Sequence, residues 1–180
     1  MITIRELRDQ DILQAIQLKA LCWPEELAGM SEKKLDIDKE YKFWSNWMHT
    51  GVEHNDVRTL LGAFENENML GVAFASFAEE EDSICGFELN GLWVYPNMRG
   101  RGISLLLITK LLNFYDHLGV KEIIIYNYHN STSNSFYQKF GGVVVKTVFQ
   151  MDEQIPTDVF KCDIAIMKER INKSIVTYAF

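Results

Sequence analysis

Apolar residues recur along this chain at two spacings, and the switches between them divide it into strands and helices. Residues 3–6 read as a short strand. Asp9 or Asp11 can then cap a helix carrying Ile12, Ile16, Leu18 and Leu21, and Trp23-Pro24 is placed to end it. A second helix is expected after Ser31, with Ile37, Tyr41, Trp44 and Met48 on one stripe and Trp47 beside it. So aromatic a helix reads either as core or as the wall of a substrate mouth. Residues 57–64 and 69–78 read as strands joined by the turn Glu65-Asn-Glu-Asn68. The acidic run Glu79-Glu-Glu-Asp82 reads as a solvated hairpin loop before a strand over 87–95, which Pro96-Asn97 breaks.

Leu105, Ile108, Leu112 and Tyr115 next recur at helical spacing, beside a second stripe of Leu107, Leu111, Phe114 and Leu118, and Gly119 fits the C-cap. Glu122-Ile-Ile-Ile-Tyr126 reads as a buried strand. Asn130-Ser131 caps a short helix that stops at Gly141-Gly142, and residues 143–149 and 160–167 form a last strand pair around a loop over 152–158. The order is β-α-α-β-β-β-α-β-α-β-β: an α/β chain with a mixed sheet and helices on both faces.

With 180 residues the chain suits one domain, expected over 1–167, followed by a tail over 168–180 that the pattern does not place. Hydrophobic residues at 47% and charged residues at 24% exclude a disordered or fibrous chain. No apolar run is long enough to span a membrane and the N-terminus has no leader pattern, so a cytoplasmic protein is expected. Cys22, Cys85 and Cys162 lie far apart and read as small buried hydrophobes, with no metal site implied. A net charge of −7 is a poor match for nucleic acid and a better one for a cationic partner. Glu25, Glu26, Asp152 and Glu153 are acidic groups that can attract one.

The chemistry concentrates where the strand over 87–95 meets the following helix. Arg99-Gly-Arg-Gly102 at a helix start offers unpaired N–H groups and the positive end of the helix dipole, a natural seat for a pyrophosphate. Glycine at 100 and 102 lets an anion reach the amides. The Gly-Lys-Ser/Thr ending of a P-loop is missing, and Leu105 stands where a dinucleotide fingerprint needs its third glycine.

Arg99-x-x-Gly102-x-Ser104, preceded by Val94-x-Pro96, resembles the acetyl-CoA pyrophosphate loop of the GNAT superfamily of N-acetyltransferases, with Ser104 in place of the usual Gly or Ala. Asn130-x-x-Ser133-x-x-Phe136-Tyr137-x-Lys139-x-Gly141-Gly142 is similar to the family's second signature, with Ser133 for Ala and Gly142 for Phe. The resemblance implies the GNAT fold, a mostly antiparallel mixed sheet of about seven strands. It also implies acetyl-CoA as co-substrate without a metal, direct transfer of the acetyl group to a primary amine of a small molecule or peptide, and frequent homodimers. The tail Ser174-Ile-Val-Thr-Tyr-Ala-Phe180 is apolar enough to contribute to a partner surface.

Residue by residue, the resemblance places the cofactor on the loop Met98, Arg99, Gly100, Arg101, Gly102, Ile103 and Ser104. The pantetheine arm would lie beside Leu92, Trp93 and Val94, between two splayed strands, with Asn130, Ser133 and Phe136 also on the cofactor. A β-bulge between Glu88 and Val94 would aim the N–H of Leu92 or Trp93 at the thioester carbonyl. Glu88 matches the family's strand glutamate, a general base acting directly or through water, and Tyr137 its general acid at the sulfur. Each has a plainer reading: Glu88 as a polar residue on a strand face, Tyr137 as a core aromatic. Asn90 can position a water, and His129 is either a proton shuttle or a structural residue at a strand end. The alternative to an enzyme is a non-catalytic acyl-CoA-binding or regulatory module that keeps the loop.

Overall fold

Asn66 and Glu67 sit at φ 50° and 65°, the pair of left-handed residues that a tight two-residue hairpin requires. They fix the register Glu65↔Asn68 of the first long hairpin. The computed structural model describes residues 1–27, 29–151 and 154–177, with side chains to residue 174. Asp152, Glu153 and residues 178–180, named above for charge or for an apolar tail, lie outside the described residues. The elements are β1 (Thr3–Glu6), α1 (Asp9–Leu27), α2 (Ile37–His49), β2 (Thr59–Glu65), β3 (Asn68–Phe77), β4 (Gly86–Val94) and α3 (Ile103–His117). They continue as β5 (Glu122–Tyr128), α4 (Asn134–Lys139), β6 (Val143–Gln150), β7 (Ile155–Asp163) and α5 (Ile164–Thr177). Among the described residues the strands form one seven-stranded mixed sheet in the order β1-β2-β3-β4-β5-β7-β6, with β4 and β5 parallel. The chain groups into two compact units, Met1–Phe77 with Asn90–Leu111, and Ala78–Leu89 with Leu112–Phe180.

In the first unit, Ile12, Ala15, Ile16 and Leu18 of α1 are fully buried against a core that includes Trp44, Val72, Phe74 and Trp93. Asp11 opens α1 by accepting from the Arg8 N–H three residues back (2.8 Å), as the inward carboxylate of a capping box does. It also pairs with Arg5 at 2.7 Å, and the hydrogen bond from Arg5 holds its carboxyl below the ordinary aspartate range. The expected stop at Trp23-Pro24 is overrun by one turn. Proline deletes one hydrogen bond toward the preceding turn and leaves later residues free to stay helical, and Leu27, 1% exposed, anchors that turn. The second helix starts at Ile37 rather than just after Ser31, because Asp36 is the residue that caps it, accepting from Lys39 N–H at 3.1 Å. On its aromatic stripe Trp44 is buried while Ile37 and Tyr41 are exposed.

In the second unit, β5 and β7 register from Glu122↔Asp163 to Tyr128↔Thr157, and β6 pairs with β7 on its other side. Phe87 stacks on Tyr115 with ring centres 4.3 Å apart. The last strand runs over 155–163 rather than 160–167, since the Asp163 carboxylate caps α5 by accepting from the N–H groups of Ala165 (2.7 Å) and Ile166 (3.1 Å). Residues 168–177, unplaced by pattern, continue that helix, with Met167 and Ile171 buried. The short helix begins at Asn134 with Ser133 in the cap position, not at Asn130-Ser131. Cys22 and Cys162 are buried as expected, but Cys85 is exposed.

The acidic run before β4 is more than a solvated turn. The Asp82 side chain is 2% exposed, pairs with Lys146 of β6 at 2.5 Å and accepts from the Tyr126 hydroxyl of β5. Burial pushes the Asp82 carboxyl up, but those two partners outweigh it and hold it below the ordinary aspartate range. Its stabilising contribution is therefore complete at neutral pH and is lost as pH falls through its depressed pKa. Asp82→Asn is expected to lower stability at pH 7 by about 2 kcal/mol, less than for a fully buried pair because Lys146 is 41% exposed. Urea unfolding of wild type and variant should show the gap closing in strong acid.

Candidate functional site

In the first unit, Val94 ends β4, Tyr95 N–H still donates to Leu70 O of β3 (3.0 Å), and Pro96–Met98 make a single 3₁₀ turn. Gly100 and Gly102 follow at φ 77° and 75°, flanking Arg101. A Cβ at either glycine would meet nothing within 4 Å, so conformation rather than crowding calls for glycine here. Ile103, 2% exposed, pins the start of α3, whose first N–H groups have no acceptor within the helix. Met98, Gly100, Arg101, Gly102, Ile103 and Ser104 thus form one strand–turn–helix junction, as the sequence predicts.

Arg99 is turned back toward α1. Its Nη1 donates to both carboxylate oxygens of Glu25 (2.8 and 2.7 Å), its Nη2 to Cys22 Sγ (3.7 Å) and its Nε to Val94 O (3.4 Å). Burial pushes the Cys22 thiol up, with Arg99 opposing. Arg101 is 45% exposed, with Glu65 at 3.8 Å. A cleft of about 310 Å³ lies beside this loop, lined by Tyr95, Asn97 and Met98 and by the β2–β3 turn, and its charged lining residue is Glu65. That negative charge makes the cleft a poor seat for a phosphate, unlike the glycine-flanked amides.

One residue further along α1, Glu26 accepts from the Trp93 indole N–H in a short hydrogen bond. The Trp93 ring lies against Gly91, where a Cβ would fall 2.1 Å from it, so that glycine is what admits the indole. Lys19 sits 5.4 Å from the Trp93 and Trp44 rings and 5.6 Å from Trp23, and pairs with Glu40 at 2.6 Å. Burial pushes Glu26 up to about 7, against the Trp93 hydrogen bond and the Lys19 charge. Sequence reading saw Glu26 only as one acidic group among several. Its raised pKa comes from burial, and its hydrogen-bond partner is an indole 67 residues away in the chain, which no local pattern signals.

In the second unit, Glu88 is half-buried and stands at the last registered pair of β4 with β5, Glu88↔Ile124. Tyr137, 6% exposed, packs its ring against Phe136 and Phe160. Gly142, where the resemblance has phenylalanine, donates to Tyr137 O at 2.9 Å, and a Cβ there would lie 3.0 Å from that oxygen. A side chain at 142 would crowd that carbonyl, which would have to give by a few tenths of an ångström. Ser133 accepts from Asn127 Nδ2 at 2.8 Å, and Asn134 Nδ2 donates to the carbonyls of Tyr128 (3.1 Å) and His129 (2.8 Å). Asn130 is exposed in the turn that these bonds shape. His129 Nδ1 lies 2.9 Å from Asp158, a pairing that spacing does not show. Among the described residues no group of three or more His, Cys, Asp or Glu side chains is placed to hold a metal, and no helix is long and apolar enough to cross a membrane.

Because the Glu26 pKa is raised above its unfolded value, the folded state keeps that proton longer. Stability is expected to decline as pH rises from about 4.5 to about 7, and Glu26→Gln should remove that slope. In ¹H–¹⁵N spectra the Trp93 indole resonance should titrate with a midpoint near 7 in the wild type and stay fixed in the variant.

Residues 15–142, well over half of the chain and inclusive of both motifs, match the family model described as the acetyltransferase (GNAT) family. No curated protein sequence matches significantly. Among solved structures, the fold is similar to that of an N-acetyltransferase from Staphylococcus aureus Mu50, with TM-score 0.70 and 19% identity over 91% of this chain and 99% of that one. It is similar to PaiA N-acetyltransferase from Thermoplasma acidophilum, solved in complex with coenzyme A, with TM-score 0.70 and 20% identity over 91% and 99% of the two chains. A ribosomal-protein-alanine N-acetyltransferase from Brucella melitensis gives TM-score 0.68 and 19% identity over 89% and 99%. At these identities the structures speak for the fold, and the match over 15–142 speaks for descent: this chain belongs to the GNAT family of acetyltransferases.

Proposed function

We propose that this protein transfers the acetyl group of acetyl-CoA directly to a primary amine, in a ternary complex. The observation that carries the reading is the pair of left-handed glycines, 100 and 102, opening the α3 N-terminus inside a family-specific motif. The open space at both glycines fits a pyrophosphate held by the amides of residues 98–104, with Arg99 bracing the loop through Glu25. Leu92, Trp93, Val94, Asn130, Ser133 and Phe136 would flank the pantetheine arm. When bound, the thioester supplies an activated acyl group with a thiolate leaving group.

The chain's own residues would then work in sequence. The N–H of Leu92 or Trp93 is a fixed donor for charge developing on the carbonyl oxygen. Glu88, directly or through a water, takes the proton that the amine nitrogen sheds as it bonds to carbon, and Tyr137 protonates the departing sulfur. The negative net charge favours a cationic acceptor. The proposal extends to action in the cytoplasm and to pairing with a second copy of the chain.

Calorimetric titration should show acetyl-CoA binding by wild type and at least a tenfold loss in Gly102→Asp, which places a like charge on the anion seat and a side chain at φ 75°. Thiol release across a panel of primary amines should fall about 100-fold in Tyr137→Phe without a change in acetyl-CoA affinity. A wild type that does not bind acetyl-CoA overturns the reading. Turnover unchanged in both Tyr137→Phe and Glu88→Gln removes the roles assigned to them.

A further inference from the structure

At the end of β5, His129 forms a dyad with Asp158 of β7 that the steps above leave unused. Asp158 is 5% exposed, and an isolated carboxylate so buried would be costly to desolvate. It is satisfied by three short contacts: Thr147 Oγ1 donates at 2.8 Å, and His129 Nδ1 lies 3.0 and 2.9 Å from its two oxygens. A carboxylate only accepts, so the partner nitrogen must carry the hydrogen. The neutral ring is thereby held as the Nδ1–H tautomer, with the Nε2 lone pair on the far side. The ring stands partly out of the protein, with its side chain 55% exposed. The backbone is fixed as well: His129 N–H donates to Pro156 O (2.9 Å) and its carbonyl accepts from Asn134 Nδ2 (2.8 Å). A buried aspartate orienting a histidine whose other nitrogen is free is the arrangement by which a Ser-His-Asp triad prepares its base. Here it directly precedes Asn130, which the proposed function puts on the cofactor arm.

The proton count of the reaction leaves a place for it. An ammonium substrate loses two protons on becoming an amide. One ends on the sulfur, and the other must reach solvent. As the nitrogen–carbon bond forms and the carbon–sulfur bond breaks, Glu88 is assigned the proton shed during attack. The earlier proton, which blocks the nitrogen lone pair until it leaves, is open to a second acceptor. Resting on the acetyltransferase reading, we propose that His129 Nε2, oriented by Asp158, takes this first proton from the incoming ammonium and releases it to water. Asp158 is then a positioning residue, and Thr147 secures it.

The test compares pH profiles of kcat/KM for wild type, His129→Gln, Asp158→Asn and Glu88→Gln with one turned-over primary amine. His117→Gln, at the exposed end of α3, is the control. His129→Gln is expected to lose about 100-fold at pH 7 with acetyl-CoA affinity unchanged. That deficit should close as pH approaches the amine's own pKa, where the substrate arrives neutral, while the Glu88→Gln deficit persists. A role in folding alone would not produce this dependence. Long-range ¹H–¹⁵N spectra should show the neutral His129 ring protonated at Nδ1 in wild type and redistributed in Asp158→Asn, a readout that needs no turnover. A wild-type-like profile in His129→Gln, or a neutral ring protonated at Nε2 in the wild type, overturns the inference while leaving the acetyltransferase reading intact. Wild type that binds acetyl-CoA yet releases no thiol with any amine overturns that reading, and this step with it.

Discussion

Two adjacent carboxylates at the end of α1 hold the strand–loop junction on which the cofactor reading depends. Glu25 takes the guanidinium of Arg99 and Glu26 takes the indole of Trp93, so one helical turn fixes both the end of β4 and the entry to the glycine loop. The two bonds differ in kind. The Arg99–Glu25 pair is charged and half-exposed, so water and salt screen it. The Trp93–Glu26 bond is more enclosed, and its strength depends on whether the carboxyl holds a proton. The loop's geometry therefore rests on a contact that responds to salt and another that responds to pH.

Elsewhere the same device recurs, with a carboxylate placed where elements meet. Asp11 joins β1 to α1, Asp56 accepts from the Phe77 N–H at the end of β3 while pairing with Arg58, and Asp82 joins the loop before β4 to β5 and β6. Asp158 does so for β6, β7 and the end of β5. Each is satisfied by more than one donor, as a shielded charge must be to avoid a net cost. An acidic chain thus puts part of its negative charge to structural use.

Periodicity made most of the fold legible, because the hydrophobic spacing of α1, α3 and the strands is the same property that buries them. It misplaced the ends of elements wherever a single side chain decides the boundary. Asp36 and Asp163 cap helices from positions that look like any other polar residue, and the strand expected over 160–167 gave way at Asp163 for that reason. The glycine loop was readable because its amides and φ angles are local properties of a few residues. The Glu26–Trp93 and His129–Asp158 pairs were not, since each joins residues dozens of positions apart whose meeting is settled only by strand register and helix packing. Gly142 was legible as a departure, whereas the Tyr137 carbonyl that crowds it was not.

Pro24 gives α1 a mechanical character that its burial pattern conceals. Lacking an N–H, it leaves the Ala20 carbonyl without the bond that would tie the last turn to the helix behind it. The helix upstream is locked by fully buried side chains, whereas the turn beyond the proline is held chiefly by Leu27 and by the two glutamates. The end of β4 and the start of the glycine loop are thus tied to the one turn of α1 that its own helix holds least firmly.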